Sequence, residues 1–385
     1  MAKKLYIIDG HAHIYASYFA PMRQRLTSPS GQPTKAVYIF TTIVLSILQK
    51  EQPDMLVVAM DCKEKSFRCD IYPEYKAHRP PMPDDLPKQI ELIEEILSAM
   101  NIPILRVQKC EADDIIGTLA KKASAKGIDT YICSKDKDML QLIDEHIYTY
   151  DVQKNNITDI KGLKERKGVT AEQFLDCLAL QGDTSDNVPG VPDVGPKTAL
   201  GWIQKYGSLE KLYQHVDEIK GKRGDNLRKS KEQAFLSKEL VTIKCDCPID
   251  IDYELFKVKS PDKLELAKIF TELGFNRLLN QMELSETQKA EIVQKSSVSE
   301  PETLKTVDHD YKLIDTEAAL KKLSEELKEE SIFAIDTETN SLNPVWANLV
   351  GISISFNPYV AYYVPVKAPL GGKVVDLEKV REILG

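Results

Sequence analysis

Leu5-Tyr-Ile-Ile-Asp9, Leu56-Val-Val-Ala-Met-Asp61 and Thr130-Tyr-Ile-Cys-Ser-Lys-Asp136-Lys-Asp138 are three short apolar runs, and each runs out into carboxylates. Their length and content read as buried strands. Along the chain they alternate with longer amphipathic stretches, among them Val37–Leu48, Ile90–Met100 and Ile115–Ala125, and a further strand is expected at Ile104–Val107. Such alternation predicts an α/β fold with a mostly parallel sheet covered by helices. Ligands of open α/β sheets bind beyond the carboxyl ends of the strands, so Asp9, Asp61, Asp136 and Asp138 are expected to face one crevice. Glu111 and Asp113 join them, because Glu111-Ala-Asp113-Asp114 follows the Ile104–Val107 run and opens the next helix. Asp183 and Asp186, three apart in Gly182-Asp-Thr-Ser-Asp-Asn, are expected on one helical face.

So many carboxylates in one crevice cannot all ionise unaided, since each raises the pKa of its neighbours. Hard divalent cations resolve the conflict. Mg²⁺ or Mn²⁺ prefers oxygen ligands and shares its shell with substrate phosphate. Two or more such ions, roughly 3.5 to 4 Å apart, would activate water and stabilise both oxygens of a phosphodiester displacement. For any one strand-end Asp, helix capping is the simpler reading, but four strand ends sharing the pattern favour a site. Asp114, beside Asp113, must point elsewhere, either to cap the helix or to support the site. His11 and His13 flank Asp9 in an H-x-H pattern, yet an oxygen-rich site does not call for imidazole.

Val188-Pro-Gly190-Val-Pro-Asp-Val-Gly195-Pro-Lys197-Thr198 misses the Walker pattern by one residue, because Pro196 stands between the second Gly and Lys197 and removes a backbone donor. As a hairpin between two helices it reads differently: Gly190 and Gly195 admit a phosphate to the backbone, and the next helix presents its N-terminus beside Lys197 and Thr198. That is a helix-hairpin-helix mode of sequence-independent DNA binding; a plain helical connection is the alternative. Six basic residues between Ile219 and Lys231 face one acid, Asp225, and Lys161–Lys167 holds four. Tyr75, interleaved with Lys76 and Arg79 in a Pro-bounded segment, suits stacking on a base.

The chain of 385 residues, 42% hydrophobic and 29% charged, is long enough for several domains, and that balance excludes a disordered or fibrous class. Its net charge of −8 is uneven: residues 286–385 carry −6 and residues 1–285 only −2. Seven scattered Cys without a C-x-x-C pair fit a reducing compartment. Together with the absence of a signal-peptide pattern or an 18-residue apolar run, this places the protein in the cytoplasm with no membrane partner. Residues 289–306, rich in Gln, Ser, Glu and Pro, read as a linker, and Ser331–Ile335 and Leu349–Phe356 as strands of a second α/β unit. The expected organisation is an α/β core over 1–167, a helical DNA-binding subdomain over 168–285, a linker over 286–310 and a further domain over 311–385.

Phe67-Arg68, Tyr75-Lys-Ala-His-Arg-Pro-Pro-Met-Pro-Asp-Asp85, Glu111-Ala-Asp-Asp, Lys135-Asp-Lys-Asp-Met139 and Gly182-Asp-Thr-Ser-Asp-Asn-Val-Pro-Gly-Val-Pro192 together resemble the five-prime nuclease domains of the bacterial DNA polymerase I family, a branch of the flap endonucleases. The resemblance implies a PIN-like core that cuts flap, nicked or branched DNA and RNA primers from the five-prime side during replication and repair. It implies metal-dependent hydrolysis, with Lys76 and Arg79 near the scissile phosphate, Arg68 among the DNA contacts, and the chain acting as a monomer. The chain departs from the family at Ala16, where Arg is common. Phe333-Ala-Ile-Asp336-Thr-Glu338 resembles the first motif of the three-prime exonuclease domain of the same polymerases, which implies an RNase H-like unit. Asp336 and Glu338 supply only two of the acids a two-metal exonuclease needs. The later motifs and the polymerase domain are expected to lie beyond Gly385, leaving this unit incomplete and without activity. A related PIN-like ribonuclease and a non-catalytic DNA-binding module are the competing classes; the hairpin argues against the first, and the full set of acids against the second.

Overall fold

The structure, a computed structural model, describes residues 3–22, 26–282, 308–341, 346–369 and 372–385. They fall into two compact units on either side of residues 283–307. Most of the linker expected at 286–310 therefore lies outside the described residues. Among those described, no helix is long and apolar enough to cross a membrane.

The first unit is built on a six-stranded sheet of β1 (Lys4–Asp9), β2 (Met55–Ala59), β3 (Ile104–Leu105), β4 (Asp129–Cys133), β5 (Ile147–Asp151) and β6 (Asn156–Thr158). The order is β3-β2-β1-β4-β5-β6, and only β6 runs antiparallel to its neighbour. Alternate residues of β1 feed two apolar layers: Tyr6 and Ile8 pack with Phe40, Val44 and Ile93, while Leu5 and Ile7 pack with Ile115, Ile116 and Leu119. Burial on both faces is why these strands are continuously apolar. Asp9 pairs with Ala59 across β1–β2, and Ile8 with Cys133 across β1–β4, so Asp9, Asp61 and the segment after Cys133 emerge at one end of the sheet. The strand expected over Ile104–Val107 pairs only at its first two residues, where it forms the sheet edge.

Helices from Ala171–Gln181 to Lys231–Val241 form a separate layer around Phe174, Leu178, Ile203, Leu212, Leu227 and Leu240. The helical part expected to run from 168 to 285 ends there. Ile243, Cys247 and Phe256 return to the layer of Leu5 and Ile7, and the helix Lys263–Glu272 sets Leu266, Ile269 and Phe270 against that of Tyr6 and Ile8. Apolar demand from the sheet thus overrides the helical continuity suggested by the sequence.

The second unit has a four-stranded sheet in the order β7 (Asp310–Leu313), β10 (Val360–Pro365), β9 (Leu349–Asn357), β8 (Ala334–Thr339). Helices Glu317–Glu329 and Leu377–Leu384 contribute Leu320, Leu323 and Val380 to a core with Ile352, Ile354 and Val364. The strand expected over Ser331–Ile335 is displaced to Ala334–Thr339, because its pairing with β9 starts at Ala334 opposite Ser355. All of β8 is exposed.

One buried ion pair ties the first unit together beneath its acidic end. The Arg68 guanidinium donates to both oxygens of Asp114 at 2.7 Å, to the Leu240 carbonyl through Nε, and to the Thr242 carbonyl. Asp114 also accepts the backbone N–H groups of Glu111 and Lys244. Every charge is met, which is what makes burial of both groups tolerable. Truncating one partner strands the other, so Arg68→Met should lower stability in urea unfolding by about 3–5 kcal/mol, and adding Asp114→Leu should recover part of that loss. Equal stability of Arg68→Met and wild type would show that the pair does not hold these segments.

Candidate active site

Asp9, at the end of β1, is buried and caps the helix Gly10–Tyr18 by accepting the Ala12 N–H, while its other oxygen accepts the Ser134 hydroxyl at 2.8 Å. Gly10 allows this turn because a Cβ there would stand 2.8 Å from the Ala59 carbonyl. Ser134 in turn accepts the Asp136 N–H, so a serine not singled out by the sequence spaces two carboxylates from neighbouring strands. Asp136 caps the 3-10 helix Lys137–Leu142 through the Asp138 N–H. Asp61 accepts the Ala112 N–H, and the Asp61 N–H donates to His11 Nδ1. His13 donates Nε2–H to the Cys133 carbonyl, and burial pushes its pKa down to about 4. The His13 Nδ1 is buried without a hydrogen-bond partner among the described residues.

Glu111 caps the helix Ala112–Ser124 and accepts from Lys76 Nζ at 2.7 Å, the Tyr75 hydroxyl at 3.0 Å and Arg68 at 3.2 Å. Asp186 accepts from Arg79 and, at 3.3 Å, from the Tyr75 hydroxyl. The Lys76 N–H donates to the Asp186 carbonyl and Asn187 donates to the Glu74 carbonyl, so segments 72–79 and 183–187 clasp each other. Lys76 sits at φ +57, a strained backbone for a non-glycine residue held by that clasp. Tyr75, Glu111, Asp113, Asp138, Asp183 and Asp186 line one cleft.

The carboxylates strain against one another. Burial, then the charges of Asp61 and Asp136, push Asp9 up to about 7 against the hydrogen bonds from Ser134 and Ala12. Asp113 is raised well above the usual range by burial and by Asp9 and Asp136. Asp138 rises to about 7 through burial and Asp136, and its Oδ1 is buried without a hydrogen-bond partner. Asp183, despite burial, is held low by Ser185 and by Lys137 at 3.1 Å. Among the described residues no three His, Cys, Asp or Glu side chains converge as a metal-binding group; Lys76, Arg79 and Lys137 stand among the carboxylates as internal counter-ions.

Several sequence expectations change here. Asp183 and Asp186 lie in a turn after Gln181, closed by Asp183 pairing with Val188, and not on a helical face. Arg68 is only 2% exposed and Tyr75 only 6%, so the first is consumed by Asp114 and the second cannot stack on a base. Gly190 is buried: its N–H donates to Ser237, its carbonyl accepts from Gln233, and a Cβ would meet Gly182 N at 2.5 Å. It is a crossing point of two backbones and offers nothing to a phosphate. Gly195, Lys197 and Thr198 are accessible at the start of the helix Pro196–Tyr206, and Lys197 has no ion pair among the described residues. In the second unit Asp336 and Glu338 share one face inside β8, and Asp336 accepts the Thr337 N–H.

Residues 4–168 match the 5'-3' exonuclease N-terminal resolvase-like domain, residues 169–264 the 5'-3' exonuclease C-terminal SAM fold, and residues 311–385 the 3'-5' exonuclease. The DNA polymerase I of Pseudomonas aeruginosa is 38% identical over 384 residues, 97% of this chain and 41% of the relative. That of Bacillus subtilis is 36% identical over 348 residues, 88% and 39% of the two. The chain thus spans about two-fifths of the length of these relatives. In fold it is similar to the T5 5'-exonuclease with zinc bound, at TM-score 0.52 and 20% identity over 77% of this chain and all of that one. It is also similar to the catalytic core of Rad2 in complex with a DNA substrate, at TM-score 0.51 and 17% identity over 76% and 92% of the chains.

A raised carboxyl pKa makes the folded state hold its proton more tightly than the unfolded chain. For Asp138 the resulting stability is present below the ordinary carboxylate range and is lost as pH climbs to about 7. Asp138→Asn, measured by urea unfolding in chelator, should therefore be more stable than wild type at pH 8 by roughly 1–3 kcal/mol, with a much smaller gain at pH 4. An equal gain at both pH values would place Asp138 outside the strained cluster.

Proposed function

We propose, from the premise that the chain belongs to the family of 5'-3' exonuclease and flap endonuclease domains at the N-terminus of DNA polymerase I, with the start of a 3'-5' exonuclease domain, a divalent-metal-dependent nuclease. Its first unit would hydrolyse phosphodiester bonds at the five-prime side of flap, nicked or branched DNA and of RNA primers. The observation that carries this reading is the set of carboxylates gathered at one end of the sheet, of which Asp9, Asp113 and Asp138 are raised in pKa and Asp138 keeps an orphaned buried oxygen. A donor set made only of carboxylate oxygen, short of counter-charge, fits hard cations such as Mg²⁺ or Mn²⁺. Asp9, Asp61, Glu111, Asp113, Asp136, Asp138, Asp183 and Asp186 are the residues that would hold two or more ions. When bound, such ions lower the pKa of water and neutralise the departing oxygen.

The chain's own side chains do the rest. Lys76 and Arg79 lie across the cleft on Glu111 and Asp186, where a phosphodiester would compete for both cations and be drawn to the carboxylate cluster. Burial of Asp9 keeps bulk water from screening the field at the reacting phosphate. The accessible start of Pro196–Tyr206, with Lys197, would hold duplex backbone without reading sequence, as a helix-hairpin-helix does. The core is PIN-like in this reading, and the second unit is RNase H-like, with Asp336 and Glu338 on its exposed strand β8.

Asp113→Asn removes a ligand and a negative charge beside the phosphate. On a flap labelled at its five-prime end, with Mg²⁺, cleavage should fall by roughly a hundredfold or more, a larger loss than follows removal of a group that merely supports a metal ligand, while flap affinity holds or rises. Full cleavage by the variant, or by wild type in EDTA, would overturn the reading. Lys197→Ala should weaken binding to all sequences alike and reduce the salt slope of binding by about one. Sequence-dependent loss would refute the hairpin's role.

A further inference from the structure

Beside Asp136, the carboxyl ends of β4 and β5 open into a second groove of about 530 Å³, distinct from the cleft of Glu111 and Asp186. Lys135, Lys137, Lys154 and Arg166 line it with the acids Asp136 and Asp151; Lys154 pairs with Asp151 and Lys137 with Asp183, which leaves Lys135 and Arg166 as the cations without a carboxylate partner among the described residues. Arg166, on the helix Ile160–Lys167, is oriented without being neutralised: its guanidinium donates to Asn156 Oδ1 at 2.8 Å and Thr158 Oγ1 at 3.3 Å, both uncharged acceptors. Lys135 likewise donates to the Gln153 amide oxygen at 2.6 Å and, among the described residues, to no carboxylate. Arg166 thus spends part of its fork on holding itself still and keeps its full charge for a partner. Lys161, Lys164 and Lys167 follow on the same helix, against Glu165 alone. A positive groove that starts at the edge of a negative cleft suits a polyanion whose one end is processed in that cleft.

We propose that this groove is a backbone subsite: the sugar–phosphate strand leaves the carboxylate cluster past Asp136, crosses the β5–β6 hairpin, and is held there through phosphate oxygens by Lys135 and Arg166. The subsite rests on the nuclease reading above and deepens it by assigning a strand path. Recognition by charge and a planar fork, with no aromatic side chain among the groove's lining residues to stack a base, makes the contact indifferent to sequence. Asn156 and Thr158 keep Arg166 in place as positioning residues.

The test is equilibrium binding of a labelled DNA flap to the full chain in chelator, over a salt series, so that affinity is read without cleavage. Arg166→Ala and Lys135→Ala should each raise Kd roughly three- to tenfold at about 0.1 M salt and lower the salt slope by about 0.7–0.9, and the double variant should lose both amounts. Arg166→Lys keeps the charge but not the fork, so it should retain the slope and lose part of the affinity. Lys257→Ala, at the amino end of β2 beside Met55, removes the same charge away from the groove and should bind as wild type does. Unchanged slopes in Arg166→Ala and Lys135→Ala, or an equal loss in Lys257→Ala, would overturn the subsite while leaving the nuclease reading intact. Failure of wild type to bind the flap at all would remove the reading on which it rests. Thermal melting of each variant, expected within a few degrees of wild type because Arg166 and Lys135 are solvent-facing, separates lost contacts from lost fold.

Discussion

The bidentate pair of Arg68 and Asp114 is the constraint on which the acidic end of the sheet depends. It joins three stretches distant in sequence: the short helix Phe67–Ile71, the first turn of Ala112–Ser124, and the return of the chain at Leu240–Lys244. Two consecutive carboxylates, Asp113 and Asp114, therefore have opposite fates. Asp114 is saturated by four donors and adds little repulsion, whereas Asp113 is left to the cleft, where burial and the neighbouring Asp9 and Asp136 push its pKa up. Without the guanidinium beneath them, the turn at Glu111 would carry an uncompensated buried charge at the point where the cleft needs rigidity.

Above that anchor the molecule tolerates electrostatic tension. Asp9, Asp113 and Asp138 all favour their protons; Lys76 relieves Asp113 and Lys137 relieves Asp138, while Arg79 pairs with Asp186. Strain of this kind persists only where surrounding structure over-determines it, and here the clasp between 72–79 and 183–187 does so. Stability surrendered at a cluster is the usual signature of a site selected for something other than stability. The nearby Cys110 and Cys247 thiols, buried and 2.7 Å apart, pack beneath the same turn and add no charge to it.

How much of this was legible follows from the range of the forces involved. Strand positions and their terminal acids depend on local apolar runs, so Asp9, Asp61, Asp136 and Asp138 could be placed from sequence. Asp114's separation from Asp113 was also readable, since neighbours on a helix point apart. Arg68 was not: its partners stand up to 174 residues away, and a basic residue near an aromatic one looks the same in sequence whether it meets DNA or a buried carboxylate. Tyr75 was misread for a related reason, because its ring is drawn into the apolar layer around Leu178 and Leu240 while its hydroxyl serves Glu111. Gly190 shows a third limit, as close approach to Gly182 and close approach to a phosphate ask the same thing of a residue.

The charge pattern along Lys135-Asp136-Lys137-Asp138 shows how an acidic chain can still present a path for a polyanion. In a strand, alternation of sign would put both acids on one face and both bases on the other. Here the segment leaves β4 and tightens into a 3-10 turn, so the side chains fan out. Asp136 and Asp138 face the carboxylate cluster, Lys137 turns to Asp183, and Lys135 reaches Gln153 on the hairpin. Repulsion between Asp136 and Asp138 is offset across the turn rather than along it, and the displaced positive charge accumulates at the groove beside Arg166. A net negative total therefore says little about the field a strand would meet, since attraction over a Debye length of about 8–10 Å is decided by the few charges on its route.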